Sequence, residues 1–395
     1  MTVRDKPWML PEGIEALLPG DAEYLENSRR KLLDLFRQWG YQFVVPPIVD
    51  YIESLLTGSG TELDLQTFKL IDQMSGRLLG IRADMTPQVA RIDAHHLNTR
   101  APVRLCYLGT VLKTHPSGLT RTRSPFQVGA ELYGHKGLES DLEMIRLMLE
   151  TLNTCGFEDY YLDIGHLGIY KHIVESCQLE ADQHITLSDI LQRKAAAELQ
   201  EFLQQHRLKP EIAEALSSLT QLSGDTEVIE KARHQLAGLG QTVVDALDRL
   251  ERLVNRIRTF FPNISIHIDL AELHGYYYQT DIVFAAYLPG HASELARGGR
   301  YDDLTQAYEW GRPATGFSMD LNALMLLRNE APQPADRILA PAVEDSRLDD
   351  RIAELRKAGE SVVQALPEQE GTPEEMGCQR RLVLEEDEWV IREIG

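Results

Sequence analysis

Ala296-Arg297-Gly298-Gly299-Arg300-Tyr301-Asp302-Asp303-Leu304, followed from Thr315 by Gly316-Phe317-Ser318-Met319-Asp320-Leu321-Asn322-Ala323-Leu324, is the stretch on which the reading of this chain turns. A glycine pair leads, and a helix-like Leu-Asn-Ala-Leu segment closes it. Near its end Ala323 offers only an uncharged methyl group.

At 395 residues, 43% hydrophobic and 26% charged, the composition is that of a globular protein of two or three domains. The formal net charge of -21, from 61 acidic against 40 basic residues, argues mildly against wrapping nucleic acid, whose phosphates need a basic surface. A local basic patch stays compatible with it. Cys106, Cys155, Cys177 and Cys378 are scattered with no C-x-x-C pair, so neither a disulfide framework nor a zinc knuckle is signalled. Free thiols in a reducing cytoplasm are expected. No apolar run approaches the roughly 18 residues of a membrane span, and the N-terminus lacks a basic-then-apolar signal pattern. The expected location is the cytoplasm.

Asp21 to Trp39 reads as an amphipathic helix with Leu25, Leu32, Phe36 and Trp39 on one stripe, and Gly40 ends it. Tyr41 to Val45 is β-rich and is stopped by Pro46-Pro47, which cannot donate ladder hydrogen bonds. Gln66 to Asp72, a turn at Ser75-Gly76 and Arg77 to Ile81 predict a β-hairpin. Strands are expected over Arg104 to Lys113, Phe126 to Gly134, Ile264 to Leu270 and Gln279 to Tyr287, and a helix over Leu138 to Leu152. Residues 180–260 read as an inserted helical subdomain, with Leu191, Ala195, Leu199 and Leu203 on one stripe. The core is expected over 1–329. A proline-bearing linker, Glu330 to Asp336, precedes a small αβ domain over 337–395, with strands from Arg337, Ser361, Arg380 and Trp389 and a helix from Leu348 to Ala358.

No Walker A loop, G-x-G-x-x-G, G-x-S-x-G or H-E-x-x-H is present, so phosphate cradles, dinucleotide folds, serine hydrolases and zincins have no direct support. Adjacent residues on a helix point about 100° apart, so His95-His96 does not read as a metal site. Asp163 with His166 is equally unpersuasive. Neither a metal nor a cofactor is expected.

Four segments agree in order and spacing with one family. Gly13 to Gly20, Leu79 to Pro87, Gln127-Val128-Gly129-Ala130-Glu131 and the quoted stretch resemble histidyl-tRNA synthetases, of the class II aminoacyl-tRNA synthetases, over residues 10–328. The helix, glycine, strand and proline run of Asp21 to Pro47 resembles that class's dimer-forming motif. The resemblance implies an α+β core, an antiparallel sheet flanked by helices. It also implies a histidine pocket: Asp84, in place of the usual glutamate, Thr86 and Gln127 for the α-amino group, Glu131 near the imidazole, Lys113 at the position of an arginine, and Tyr278 and Tyr301 as walls. Those residue types suit a free amino acid, because an ammonium wants carboxylate and amide oxygens and an imidazole N–H wants a carboxylate. Gln127 and Glu131 share a strand face by their even spacing.

Residues for adenylation depart from the family. Lys113 replaces an arginine in Leu112-Lys113-Thr114-His115, His115 replaces a glutamate, and His274 and Ala323 fall at two further arginine positions. Each such cation stabilises charge in a phosphoryl-transfer-like transition state, so no catalytic residue is assigned. The acidic C-terminus is shorter than a synthetase's anticodon-binding domain. Together these features resemble the regulatory subunits of ATP phosphoribosyltransferase, at the first step of histidine biosynthesis. That resemblance implies a non-catalytic regulator needed by the short-form catalytic subunit, a hetero-octamer, a self-dimer, and L-histidine as the feedback effector. Two rival readings are an amino-acid-adenylating synthetase paralogue acting on a non-tRNA acceptor, and a tRNA-binding protein. The lost cations argue against the first and the acidic balance against the second.

Overall fold

The computed structural model describes residues 9–58, 60–97, 99–116, 121–175, 177, 179–273, 279–291, 293–328 and 336–394. The chain divides into two compact units, the larger running to Arg328. Its strands are β1 (Gln42–Phe43), β2 (Val49–Tyr51), β3 (Phe68–Ile71), β4 (Leu78–Ile81), β5 (Val103–Thr110), β6 (Phe126–Tyr133), β7 (Tyr161–His166), β8 (Ser223–Gly224), β9 (Ser265–Asp269), β10 (Ile282–Tyr287), β11 (Glu294–Arg300) and β12 (Ala314–Asp320). The smaller unit holds β13 (Arg337–Ala340), β14 (Ser361–Gln364), β15 (Cys378–Glu385) and β16 (Glu388–Glu393).

Nine strands form one sheet in the order β1-β5-β6-β12-β11-β10-β7-β9-β8, and β2-β4-β3 form a small separate sheet that contains the expected hairpin. The large sheet is antiparallel through its centre, as expected. It departs from that pattern near each end, where β1 runs parallel to β5 and β7 parallel to β9. Long connections between those strands permit the parallel pairing, since a hairpin turn cannot join parallel neighbours.

Alternation along the central strands gives the sheet two different faces. Val128, Ala130 and Leu132 of β6 and Phe317 and Met319 of β12 enter the main core, which the helix Leu138–Thr154 covers with Ile145, Met148 and Leu152. Gln127, Gly129 and Glu131 occupy the opposite face. The first helix, Pro19–Gln38, buries Leu32 and Phe36 and ends before Gly40, whose φ of 81° is the left-handed value a helix C-cap needs.

Three expectations need correction. The strand read over Tyr41 to Val45 narrows to two residues, because Tyr41 turns inward to Glu143 (2.9 Å) and Pro46-Pro47 ends the ladder. The stripe Leu191 to Leu203 is divided between two helices, Ala181–Gln192 and Ala196–Gln205, by a turn in which Lys194 takes a φ of 50°. Leu191, Leu199 and Leu203 are buried all the same. A further strand, β7, was not anticipated and lies between β10 and β9. The helices Pro210–Leu219, Val228–Leu236 and Gln241–Phe260 complete the helical stretch.

In the smaller unit β13 lies between β14 and β15, parallel to both, and β16 returns antiparallel to β15. Ile338, Leu348, Ile352, Leu355, Val362 and Leu382 form its core, and Asp345 caps the helix Ser346–Lys357 by accepting from the Arg347 N–H at 2.9 Å. Most of the expected linker, residues 330–335, lies outside the described residues. Among the described residues no helix is long and apolar enough to cross a membrane.

Candidate ligand-binding site

The floor of the site follows from strand register. Across β6, Glu131 pairs with Leu105 of β5 and Gly316 of β12, Gly129 with Tyr107 and Ser318, and Gln127 with Gly109 and Asp320. Gly316 pairs in turn with Gly299 of β11, so two glycines lie beside Glu131 and leave a trough in the sheet face. A Cβ at Gly129 would come within 2.4 Å of the Tyr107 ring, which therefore has room only because that position is glycine.

Glu131 is 1% exposed. Its Oε1 accepts from the Thr86 hydroxyl at 3.1 Å and the Tyr107 hydroxyl at 3.0 Å, and its Oε2 from the Tyr301 hydroxyl at 2.5 Å. Burial pushes its pKa up to about 8, and Asp84 adds to the rise, while the bonds from Tyr301, Tyr107 and Thr86 hold it down. Burial dominates, so the carboxyl keeps its proton at neutral pH and can donate as well as accept.

A second cluster lies where β4 leads into the short helix Thr86–Ile92. Asp84 Oδ1 accepts from Gln127 Nε2 at 2.7 Å and from the Thr86 N–H at 3.0 Å, while Gln127 Oε1 accepts from the Met85 N–H at 2.9 Å. The preceding residue, Arg82, is buried and anchors this turn through Thr110 O (3.0 Å) and Pro46 O (2.7 Å). On the far side of Tyr301, Arg300 Nη2 donates to Asp141 and Ser140, both at 2.8 Å, which ties β11 to the helix Leu138–Thr154.

Asp84, Thr86, Lys113, Gln127, Glu131 and Tyr301 line one cavity of about 610 Å³. Ala323 also lines it, and His115 is exposed. Eight of the described lining residues are Asp or Glu, and two, Lys113 and Arg297, are Lys or Arg. Asp320 is pushed up to about 6 by burial, against the pull of the Asn322, Phe126 and Ala323 N–H groups. The helix Ala181–Gln192 presents Ile185, Ser188, Asp189 and Gln192 to the cavity, a spacing that puts them on one helix face.

Residues 13–324 match the family model described as histidyl-tRNA synthetase, and residues 335–392 the one described as the ATP phosphoribosyltransferase subunit HisZ C-terminal domain. An ATP phosphoribosyltransferase regulatory subunit of Thioalkalivibrio sulfidiphilus is 53% identical, over 98% of this chain and 98% of that protein. This chain belongs to the ATP phosphoribosyltransferase regulatory subunit family.

Another such regulatory subunit, from Nitrosococcus oceani, is 48% identical over 98% of this chain and 97% of its own. Among solved structures, an ATP phosphoribosyltransferase regulatory subunit/histidyl-tRNA synthetase from Bacillus halodurans superposes with a TM-score of 0.81 at 28% identity, covering 96% of this chain and 99% of that one. The histidyl-tRNA synthetase of Nostoc sp. PCC 7120 reaches the same TM-score of 0.81 at 19% identity, with 98% and 95% covered, and shares the fold. The fold of the family is thus a class II synthetase-like α+β core with a small C-terminal αβ domain.

Tyr278, expected as a wall of the pocket, and His274, expected at an arginine position, both lie outside the described residues. Tyr301, expected as a wall, lines the cavity, and its hydroxyl donates to Glu131. His95 stacks edge-on against Tyr308 (5.8 Å between ring centroids), away from the cavity. Asp163 contacts His267 at 3.2 Å and His166 contacts Asp281 at 2.6 Å, so those two do not act as a pair. Tyr107 and Asp320 were not anticipated. A tyrosine in a strand carries no signal of its own, and only the pairing of β5 with β6 sets it beside Glu131.

Proposed function

We propose that this chain, a regulatory subunit of ATP phosphoribosyltransferase in histidine biosynthesis, binds L-histidine in the β6 cavity and does not adenylate it. The observation that carries this reading is the charge of the cavity. Seven acidic side chains besides the protonated Glu131, against two basic ones, favour a ligand bearing an ammonium group and oppose a triphosphate, whose charge needs several converging cations. Asp84 and Gln127 offer oxygens to the ammonium, and Glu131 stands at the far end of the trough for an imidazole nitrogen.

The partner is the short-form catalytic subunit, which this chain activates and through which histidine lowers activity. Exposed Phe43 on β1, Leu70 and Ile71 on β3, and Val45, Ile48 and Met74 in the segments that follow those strands offer apolar side chains for self-association. The test is phosphoribosyl transfer to ATP by a short catalytic subunit, with and without this chain and with increasing histidine. Activity should rise on adding the chain and fall again with histidine, by a coupling of about 1–3 kcal/mol. Equal activity with and without the chain, across a range of ratios, refutes the reading.

A further inference from the structure

Arg297 lines the cavity from one face of the sheet. On β11 it pairs with Ser318, which pairs with Gly129 of β6. The row Gly129, Ser318, Arg297 therefore lies between the Glu131, Gly316, Gly299 row and the Gln127, Asp320 row, all on one face of the sheet. An α-amino acid with its side chain toward Glu131 and its ammonium toward Asp84 and Gln127 has one substituent left on the α-carbon, the carboxylate. Arg297 borders the space left for it.

Lys113 lines the same cavity from the segment beyond β5. Burial, and next the positive charge of Arg297, pull the Lys113 ammonium below its usual range, with Asp84, Asp320 and Glu62 opposing. Two cations that repel each other across a cavity are relieved by an anion placed between them. One contact that Arg297 makes, with Glu294, is 3.4 Å long and half-exposed on both sides, a class of ion pair worth little.

We propose that Arg297, together with Lys113, holds the carboxylate of the amino acid bound in this cavity and makes the site select free α-amino acids over derivatives whose carboxyl group is uncharged. The assignment rests on the reading that the cavity binds L-histidine. Two cations match one carboxylate. They do not match a triphosphate, so the same residue serves selection without restoring ATP chemistry.

Calorimetric titration of the full-length protein with L-histidine and with L-histidinamide tests it. Arg297→Gln should weaken L-histidine about tenfold or more while leaving the amide within about twofold, because only the acid loses a charge-assisted hydrogen bond. Arg297→Lys, which keeps the charge without the planar fork, should recover part of the loss. Unchanged histidine affinity in Arg297→Gln, or equal losses for acid and amide, overturns the assignment. Glu131→Ala separates the two readings: if it abolishes histidine binding and Arg297→Gln does not weaken it, the carboxylate assignment alone is wrong. A wild-type protein that binds no histidine overturns both.

Discussion

A Cβ placed on Gly316 would lie 1.6 Å from Oε2 of Glu131. The strand after the glycine pair and the acidic residue of β6 are thus fitted to each other, and the buried carboxyl exists in its present position only because β12 has no side chain there. Gly316→Ala should cost about 1–3 kcal/mol through overpacking and should displace the Glu131 carboxyl from its hydroxyl partners. Urea denaturation and histidine titration on the same variant check both effects. A variant as stable as the wild type would show that this contact relaxes freely.

Removing either end of the ligand's polar partners should weaken histidine without uncoupling the subunits. Glu131→Ala and Asp84→Ala each delete a hydrogen-bonding or charged group worth about 1.5–3 kcal/mol, which is roughly a tenfold to hundredfold loss in apparent affinity. Activation of the catalytic subunit should persist in both. Inhibition curves that overlay the wild type in both variants would place the histidine sensor outside this cavity.

The raised pKa of Glu131 has a definite sign in the pH dependence of stability. Its folded value of about 8 lies above that of an ordinary glutamate near 4.3, so between those values the folded state holds a proton that the unfolded state has lost. The stabilisation present below about pH 4 is therefore lost as pH rises toward about 8. Asp320, raised to about 6, acts in the same direction. Glu131→Gln should flatten the decline between pH 5 and 8, so that its stability relative to the wild type increases with pH. A constant difference across that range would mean that the carboxyl ionises normally.

The purified chain should catalyse no histidine-dependent exchange of pyrophosphate into ATP. Ala323 lines the cavity without a charge and Lys113 lacks the arginine fork. Loss of one electrostatic group of this kind costs about 10²- to 10³-fold, so combined losses should leave exchange at background. Robust exchange would favour an amino-acid-adenylating enzyme.

The Arg300–Asp141 pair should be structurally indispensable. Asp141 is fully buried, its carboxyl is raised by that burial against the pull of Arg300 and Arg249, and Arg300 is 2% exposed. Arg300→Ala leaves a buried carboxylate short of its main partner and should destabilise by about 3–5 kcal/mol. Chemical denaturation is the check, and a shift below 1 kcal/mol would show that solvent or Arg249 compensates.

Local pattern determined much of the architecture. The stripe Leu25, Leu32, Phe36 and Trp39, the turn at Ser75-Gly76 and the alternation in β6 each write their element in a few neighbouring residues, because helix and strand periods depend only on backbone geometry. The even spacing of Gln127 and Glu131 likewise placed both on one face. What the tertiary structure decided is everything set by partners distant in the chain. Strand β7 carries Asp163 and Gly165 within its apolar run, and its place in the sheet comes from pairing with β10 and β9. Tyr107 becomes a partner of Glu131 only through the β5–β6 register, and Gly316 and Arg297 face the same trough only through the pairing of β12 with β6 and β11. The elevated pKa of Glu131 is decided at that level too, since dehydration depends on the whole enclosing cavity and no stretch of neighbouring residues encodes it.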